Sequence, residues 1–289
     1  MSEQRKMRSF DELRFRDDFM FGKIMEDPGL CREVLERLLG RRIGELTEVQ
    51  TQREFRYTVD GKPIRLDVYN EDSEGTVYDT EMENLGHKKV EDHQLPKRSR
   101  YYQGAIDIDY MDKGNSYKRL PESNVMFICT FDPFGHGLPR YTFRERCDEK
   151  AEVTLNDGSL KVFYNCCYKG EDIPDGLRKL YDYVENGYAG DDLTKRIDAA
   201  VVKGRTNAIW RTQYMKEWVL LQDARDEGVE EGMEKGREEG RKEGIKLANT
   251  ERIEDMLRRG KTVDEIVDFC GYPPEVVQKV YDELSLPVN

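Results

Sequence analysis

Asp67 and Glu81 stand in two short alternating runs, PIRLDVYN from Pro63 to Asn70 and TVYDTEMEN from Thr76 to Asn84. Alternation gives each run the two faces of a strand. The Glu71-Asp72-Ser73-Glu74-Gly75 link between them is rich in turn formers, so antiparallel closure is expected. Ile64, Leu66 and Val68 then point one way, with Arg65, Asp67 and Tyr69 on the other side. In the second run Tyr78 and Met82 share a face, and Asp79, Glu81 and Glu83 share the opposite one. If both apolar sets face a core, Asp67, Asp79, Glu81 and Glu83 crowd one surface. Like charges placed opposite each other destabilise a sheet, and such a cluster favours a counter-ion. Mg2+ suits it, being a hard cation held by one or two carboxylates while water and phosphate oxygens complete its shell. A solvent-facing acidic strand pair is the plain alternative, and spacing alone leaves both readings open.

The elements that must position these groups read as an α/β fold. Asp27-Pro28-Gly29 precedes a helix from Leu30 to Leu39 that Gly40 closes, and Phe19, Ile24 and Met25 predict another before it. A charged helical stretch is expected from about Gly86 to Ile106, with Pro96 breaking or kinking it. The apolar run from Val125 to Phe131 reads as a buried central strand. Asn156-Asp157-Gly158 marks a hairpin turn into Leu160 to Tyr164. A mixed sheet flanked by helices accommodates all of these.

The order L-D-V-Y, a turn, then V-Y-D-T-E-M-E resembles the PD-(D/E)XK nuclease core. It is more closely similar to the Rpn family of recombination-promoting nucleases, also described as PD-(D/E)XK nuclease family transposases. Phe19 to Met25, Arg98 to Gln103, Val125 to Phe134, Tyr141 to Phe143 and a Gly-spaced acidic tail carry the same resemblance, in the family's order over most of residues 10 to 245. The resemblance implies a restriction-endonuclease-like core and a metal-dependent DNA endonuclease linked to recombination or mobile elements. It further implies Mg2+ or Mn2+ held by Asp67 and Glu81, with Asp18 approaching from the first helix.

One position departs from the pattern. Where the superfamily carries Lys, this chain has Glu83. Lysine there would stabilise charge developing at phosphorus, which a carboxylate cannot do. Glu83 is then an extra metal ligand, a base for the attacking water, or the mark of a silent site. Lys88, Lys89, Lys97, Arg98 and Arg100 lie downstream, where one of them could supply the missing cation. The competing expectation is a catalytically inactive nuclease fold acting as a nucleic-acid-binding or protein-binding regulator.

Charge decides where DNA could touch. The chain carries a net charge of −12, yet Lys/Arg outnumber Asp/Glu between Lys88 and Arg119. A local basic patch acts within about a Debye length, so an acidic chain can still neutralise phosphates. Lys97, Arg98, Arg100, Tyr101 and Tyr102 mix cations with aromatic surface suited to backbone contact and base stacking. Alternatively, the tyrosines pack on the core and the arginines pair with nearby acids.

At 289 residues the chain can hold one α/β core and a smaller helical piece. The expected organisation is a nuclease-like domain over residues 1–185, a helical extension over 186–222, a Gly-spaced charged helix or tether over 223–249, and a small helix-turn-helix-like module over 250–289. No apolar run approaches the roughly 20 residues of a membrane span, and Met1 to Arg16 is too charged for a signal peptide, so a cytoplasmic protein without membrane contact is expected. Cys31, Cys129, Cys147, Cys166, Cys167 and Cys270 form no CxxC pair and read as free thiols. His87, His93 and His136 lack metal-ligand spacing and read as ordinary surface or hydrogen-bonded residues.

In the tail, Gly228, Gly232, Gly236, Gly240 and Gly244 recur every fourth residue among Glu, Lys and Arg. Five interior glycines cost a helix on the order of 4 to 5 kcal/mol relative to alanine. Either a small-residue stripe permits close helix approach, and so a homo-oligomer through the C-terminal helices, or the segment is a solvated tether. Beyond it, helices from Glu251 to Arg259, Val263 to Cys270 and Glu275 to Leu284 are expected, the second opened by a Thr262/Glu265 capping box. Acidic side chains dominate this module, which favours packing or protein binding over DNA reading.

Overall fold

The computed structural model describes residues 8–55, 64–84, 90–111 and 116–285. The chain divides into two compact units, Met1–Met215 and Lys216–Asn289. The first opens with α1 (Asp18–Met25) and α2 (Pro28–Leu39). Asp27 caps α2 by accepting the Leu30 N–H at 2.9 Å, and Gly40 ends it in the left-handed region at φ 71°. Three strands follow, β1 (Leu46–Phe55), β2 (Ile64–Asp72) and β3 (Val77–Glu83). Then come α3 (Leu95–Tyr110), β4 (Ser123–Cys129), β5 (Arg140–Phe143), β6 (Ser159–Asn165), α4 (Asp175–Asn186) and α5 (Asp192–Arg205).

The six strands form one mixed sheet in the order β1-β2-β3-β4-β6-β5. β1, β2 and β3 run antiparallel in succession, β3, β4 and β6 run parallel, and β5 returns antiparallel on β6. The α/β class with a mixed sheet flanked by helices is therefore as the sequence implies. One face carries α1, α2, α4 and α5 over Val68, Tyr78, Met82, Met126 and Ile128. The opposite face carries α3 over Val77, Val125, Phe127, Cys129 and Phe163. Phe127 stacks on Phe163 with ring centroids 5.1 Å apart and on Tyr102 at 6.2 Å.

Several local expectations change. Because α3 covers the acidic face, all seven residues of β3 are buried, and the face is not open to solvent. The alternation of β2 is broken around Asp67, since Ile64 and Leu66 join the α3-side core while Val68 joins the other. Pro96 begins α3 instead of breaking it, where a missing N–H costs nothing; residues 85–89, assigned to the same stretch from sequence, lie outside the described residues. Asn156 and Gly158 do turn the chain with positive φ, but β6 pairs with β5 across the long connection after Phe143 and not through a tight hairpin. Leu193, Ile197 and Val201 of α5 belong to the core of the first unit, so the stretch from residue 186 is not a separate extension up to that point.

The helix α6 (Ala208–Arg258) runs without interruption through all five glycines. Its last turns join α7 (Val263–Cys270) and α8 (Pro274–Ser285) in a small core of Ile253, Ile266, Val277 and Val280. Thr262 and Glu265 form the capping box of α7, which ends at Gly271 with φ 68°. Among the described residues, no helix is long and apolar enough to cross a membrane.

Candidate functional site

The β2/β3 ladder runs from Glu71 opposite Val77 to Val68 opposite Thr80 and stops there. Beyond it, side chains replace the missing rungs. The Asp67 backbone N–H donates to Glu81 Oε1 at 2.8 Å, and the Met82 N–H donates to Asp67 Oδ2 at 3.1 Å. Each carboxylate thus satisfies a strand amide that lacks its carbonyl partner, which is what a buried N–H requires. Asp67 lies at the edge of this break and is half-buried, whereas Glu81 is only 2% exposed because β4 pairs with β3 on its other side.

Arg98 enters from the first turns of α3. Its guanidinium donates to Glu81 Oε2 at 3.2 Å, to the Tyr102 hydroxyl at 3.1 Å and to Glu83. Spacing of four places Arg98 and Tyr102 on one helical face, and the guanidinium lies 5.4 Å from the Tyr102 ring centroid and 5.5 Å from that of Phe127. His93 closes the other side of Glu83, its Nδ1 lying 2.9 Å from Oε2 and its ring 4.8 Å from that of Phe131. Both Glu83 oxygens therefore have partners.

The electrostatics follow from this crowding. Burial, and then the charge of Asp18 at the start of α1, push Asp67 up from 3.8 to about 7. Burial followed by the Asp67 charge raises both Glu81 and Asp79 well above the ordinary carboxylate range. Asp79 is fully buried, and a side-chain hydrogen bond with Glu81 together with the Arg98 charge only partly offsets the rise. Burial works against the charge on Arg98, but Glu83, Tyr102 and Glu81 more than reverse that, so its proton is held more tightly than usual. The counter-ion of the acidic face is thus, in part, an arginine of this chain.

The donor chemistry fits a hard divalent cation through two carboxylates, Asp67 and Glu81, with hard oxygens and excess negative charge. It does not supply three. Among the described residues, no group of three His, Cys, Asp or Glu side chains forms a metal-ligand set, so Asp18 acts on Asp67 through charge without closing a triad. Of the residues read as DNA contacts, Arg98 and Tyr102 turn inward to the carboxylates, while Lys97, Arg100 and Tyr101 are exposed. Lys88 and Lys89 lie outside the described residues. His93, read from sequence as an ordinary surface or hydrogen-bonded residue, is the second of these, buried against Glu83 with Nε2 unpartnered among the described residues. Its only signal is a place just ahead of α3, close in sequence to the carboxylates. The chain matches no protein-family model, no curated protein and no solved structure.

Proposed function

We propose that the chain is a divalent-metal-dependent DNA endonuclease of the Rpn and PD-(D/E)XK kind, with its site at the point where β2 and β3 part. The observation that carries this reading is the placement of Asp67 and Glu81 side by side where the β2/β3 ladder ends, Glu81 accepting the Asp67 N–H, with Asp79 and Glu83 on the same strand and Arg98 bonded to Glu81 and Glu83; burial raises the proton affinity of Asp67, Asp79 and Glu81 there. Perturbed carboxylates gathered at one place mark sites that hold cations or move protons. Asp67 and Glu81 would hold Mg2+ or Mn2+, which would supply charge neutralisation at a scissile phosphate. Arg98 supplies the positive charge that the motif lysine supplies elsewhere, and Glu83 and His93 fix its direction. Lys97, Arg100 and Tyr101, on the exposed side of α3, contact the DNA backbone. A role in recombination or mobile elements rests on the family resemblance alone.

A second reading has its own observation. Arg98 already pairs with two of the carboxylates and no three-ligand set is present among the described residues, which favours a catalytically inactive nuclease fold that binds nucleic acid or protein. Incubation of plasmid and single-stranded DNA with Mg2+ or Mn2+, beside the Asp67→Ala protein, separates the two. Metal-dependent cleavage lost in the variant supports the endonuclease; equal traces of cleavage in both, with DNA retained in a filter-binding assay, support the silent fold.

A further inference from the structure

The register of β1 on β2 sets Gln52 opposite Asp67, since Thr51 pairs with Val68 and Arg53 with Leu66 on either side of them. The Gln52 backbone is at φ 55°, in the left-handed region and far from the extended conformation of a strand. The consequence is a change of face. Successive strand residues ordinarily point to opposite sides of a sheet, yet Thr51 and Gln52 both lie against α1. Thr51 Oγ1 donates to Glu26 Oε1 at 3.1 Å, and a Cβ built on Gly22 would stand 3.6 Å from Gln52 Nε2 and 3.8 Å from the Thr51 Cβ. Arg53 lies on the α3 side, bonded to Asp109 at 2.6 Å with its guanidinium 4.1 Å from the Tyr69 ring centroid. β1 thus switches faces at Gln52, on the same rung where β2 switches at Asp67.

The switch brings the Gln52 amide to the side of Asp67 from which Asp18 acts. Gly22 follows Asp18 by four residues, so the two share a face of α1, and the amide packs against that face. After burial, the Asp18 charge is what most raises Asp67. The informative atom of Gln52 is its oxygen. Oε1 is buried and has no hydrogen-bond partner among the described residues. A buried acceptor without a donor is costly, and a strained backbone that holds it there adds to the cost. What such an oxygen lacks is a positive partner. Amide oxygens are hard donors suited to Mg2+ and Mn2+, and an uncharged one adds no repulsion to Asp18, Asp67 and Glu81.

We infer that Gln52 Oε1 supplies a third, uncharged oxygen to a divalent cation held by Asp67 and Glu81, an inference that rests on the site proposed above. Isothermal titration calorimetry with MgCl2 at about pH 8, on the full chain and on Asp67→Asn, isolates the binding that belongs to this site. Gln52→Met keeps the length of the side chain without its oxygen and should weaken that binding about tenfold or more. Gln52→Glu keeps an oxygen and adds charge, so it should bind at least as tightly as the wild type. The melting temperatures of the metal-free proteins should move the other way. Gln52→Met removes a buried acceptor that has no donor and should melt higher; Gln52→Glu adds a carboxylate beside Asp18 and Asp67 and should melt lower. Gln52→Gly, which adopts positive φ without strain, should weaken Mg2+ as Gln52→Met does and decides the matter if Gln52→Met does not fold. A merely structural glutamine would make Gln52→Met and Gln52→Glu alike melt lower and bind Mg2+ more weakly, and that outcome overturns the inference. Wild-type affinity in Gln52→Met, with binding lost in Asp67→Asn, also overturns it and leaves the two-carboxylate site standing. Equal binding by the wild type and Asp67→Asn removes the site itself, and the inference with it.

Discussion

Glu81 accepts the backbone N–H of Asp67 at 2.8 Å, so one acid is bonded to the main chain that carries the other. The two carboxylates therefore cannot separate to relieve their repulsion without breaking the end of a strand pair. Their mutual destabilisation is built into the sheet, and it can be relieved by a proton or a cation.

Asp67 makes this measurable. Its folded value of about 7 lies above the ordinary 3.8, so the native state binds more protons than the unfolded state between those values. The contribution of Asp67 to stability therefore falls as pH climbs from about 4 through about 7 and levels off above. Asp67→Asn, which keeps an acceptor for the Met82 N–H, should flatten that slope and abolish metal-dependent cleavage. Thermal unfolding of both proteins across this pH range decides; parallel pH profiles would remove Asp67 as the origin. Added Mg2+ should raise the melting temperature of the wild type at pH 8 and leave Asp67→Asn nearly unchanged.

Arg98 is held by two carboxylates of low exposure, so losing it leaves uncompensated charge in the interior. Arg98→Ala should cost about 3 to 5 kcal/mol near neutral pH. Because Glu83 is then the stranded partner, Arg98→Ala with Glu83→Gln should recover part of the loss. Urea unfolding of the four members of this cycle gives the coupling, and a loss below about 1 kcal/mol in Arg98→Ala would show that the pair contributes little.

Glu83 distinguishes a working carboxylate from a remnant. Glu83→Gln keeps its reach but weakens its hold on Arg98, so cleavage should slow and half-saturation by Mg2+ should shift to higher concentration. Glu83→Lys sets an ammonium against the Arg98 guanidinium and should both destabilise the fold and lower the rate. Cleavage rates over a Mg2+ titration test both, and faster cleavage by Glu83→Lys would overturn this assignment.

Lys97 and Arg100 are exposed on α3, and among the described residues the bonds to Asp67, Glu81 and Glu83 come from other groups. Replacing each with Ala should weaken DNA binding without moving the melting temperature. Each should also lower the slope of log affinity against log salt by about one, as expected for a lost phosphate contact. Fluorescence anisotropy at several salt concentrations measures the slope, and an unchanged slope would place the DNA elsewhere.

The pairing of β2 with β3 was legible because alternation and a turn-rich link are local signals, and the caps of α2 and α7 were legible for the same reason. Coverage of the acidic face was not. Asp79, Glu81 and Glu83 read as wet because they are charged, and the sequence alone does not reveal that α3 folds back to bury them. Pro96, read as a breaker, starts the helix that brings Arg98 to Glu83. The parallel partner of β3 lies beyond that helix, at Val125 to Cys129, and nothing in the spacing ties Glu81 to Phe127. The inward turn of Arg98 and Tyr102 was open as one of two alternatives, since a helix repeat places them together without saying which way they face.

The bonds among Asp67, Glu81, Glu83, His93 and Arg98 close loops of only 10 to 17 residues. Such closures cost little chain entropy, and the set can form within a single contiguous segment. Its dryness has a remote origin, in the parallel pairing of β3 with β4 across the whole of α3. Geometry and proton affinity are thus inherited from different parts of the chain. A substitution that loosens β4, such as Phe127→Ala, would leave the ion pairs able to form while returning Glu81 toward the behaviour of a carboxylate in water.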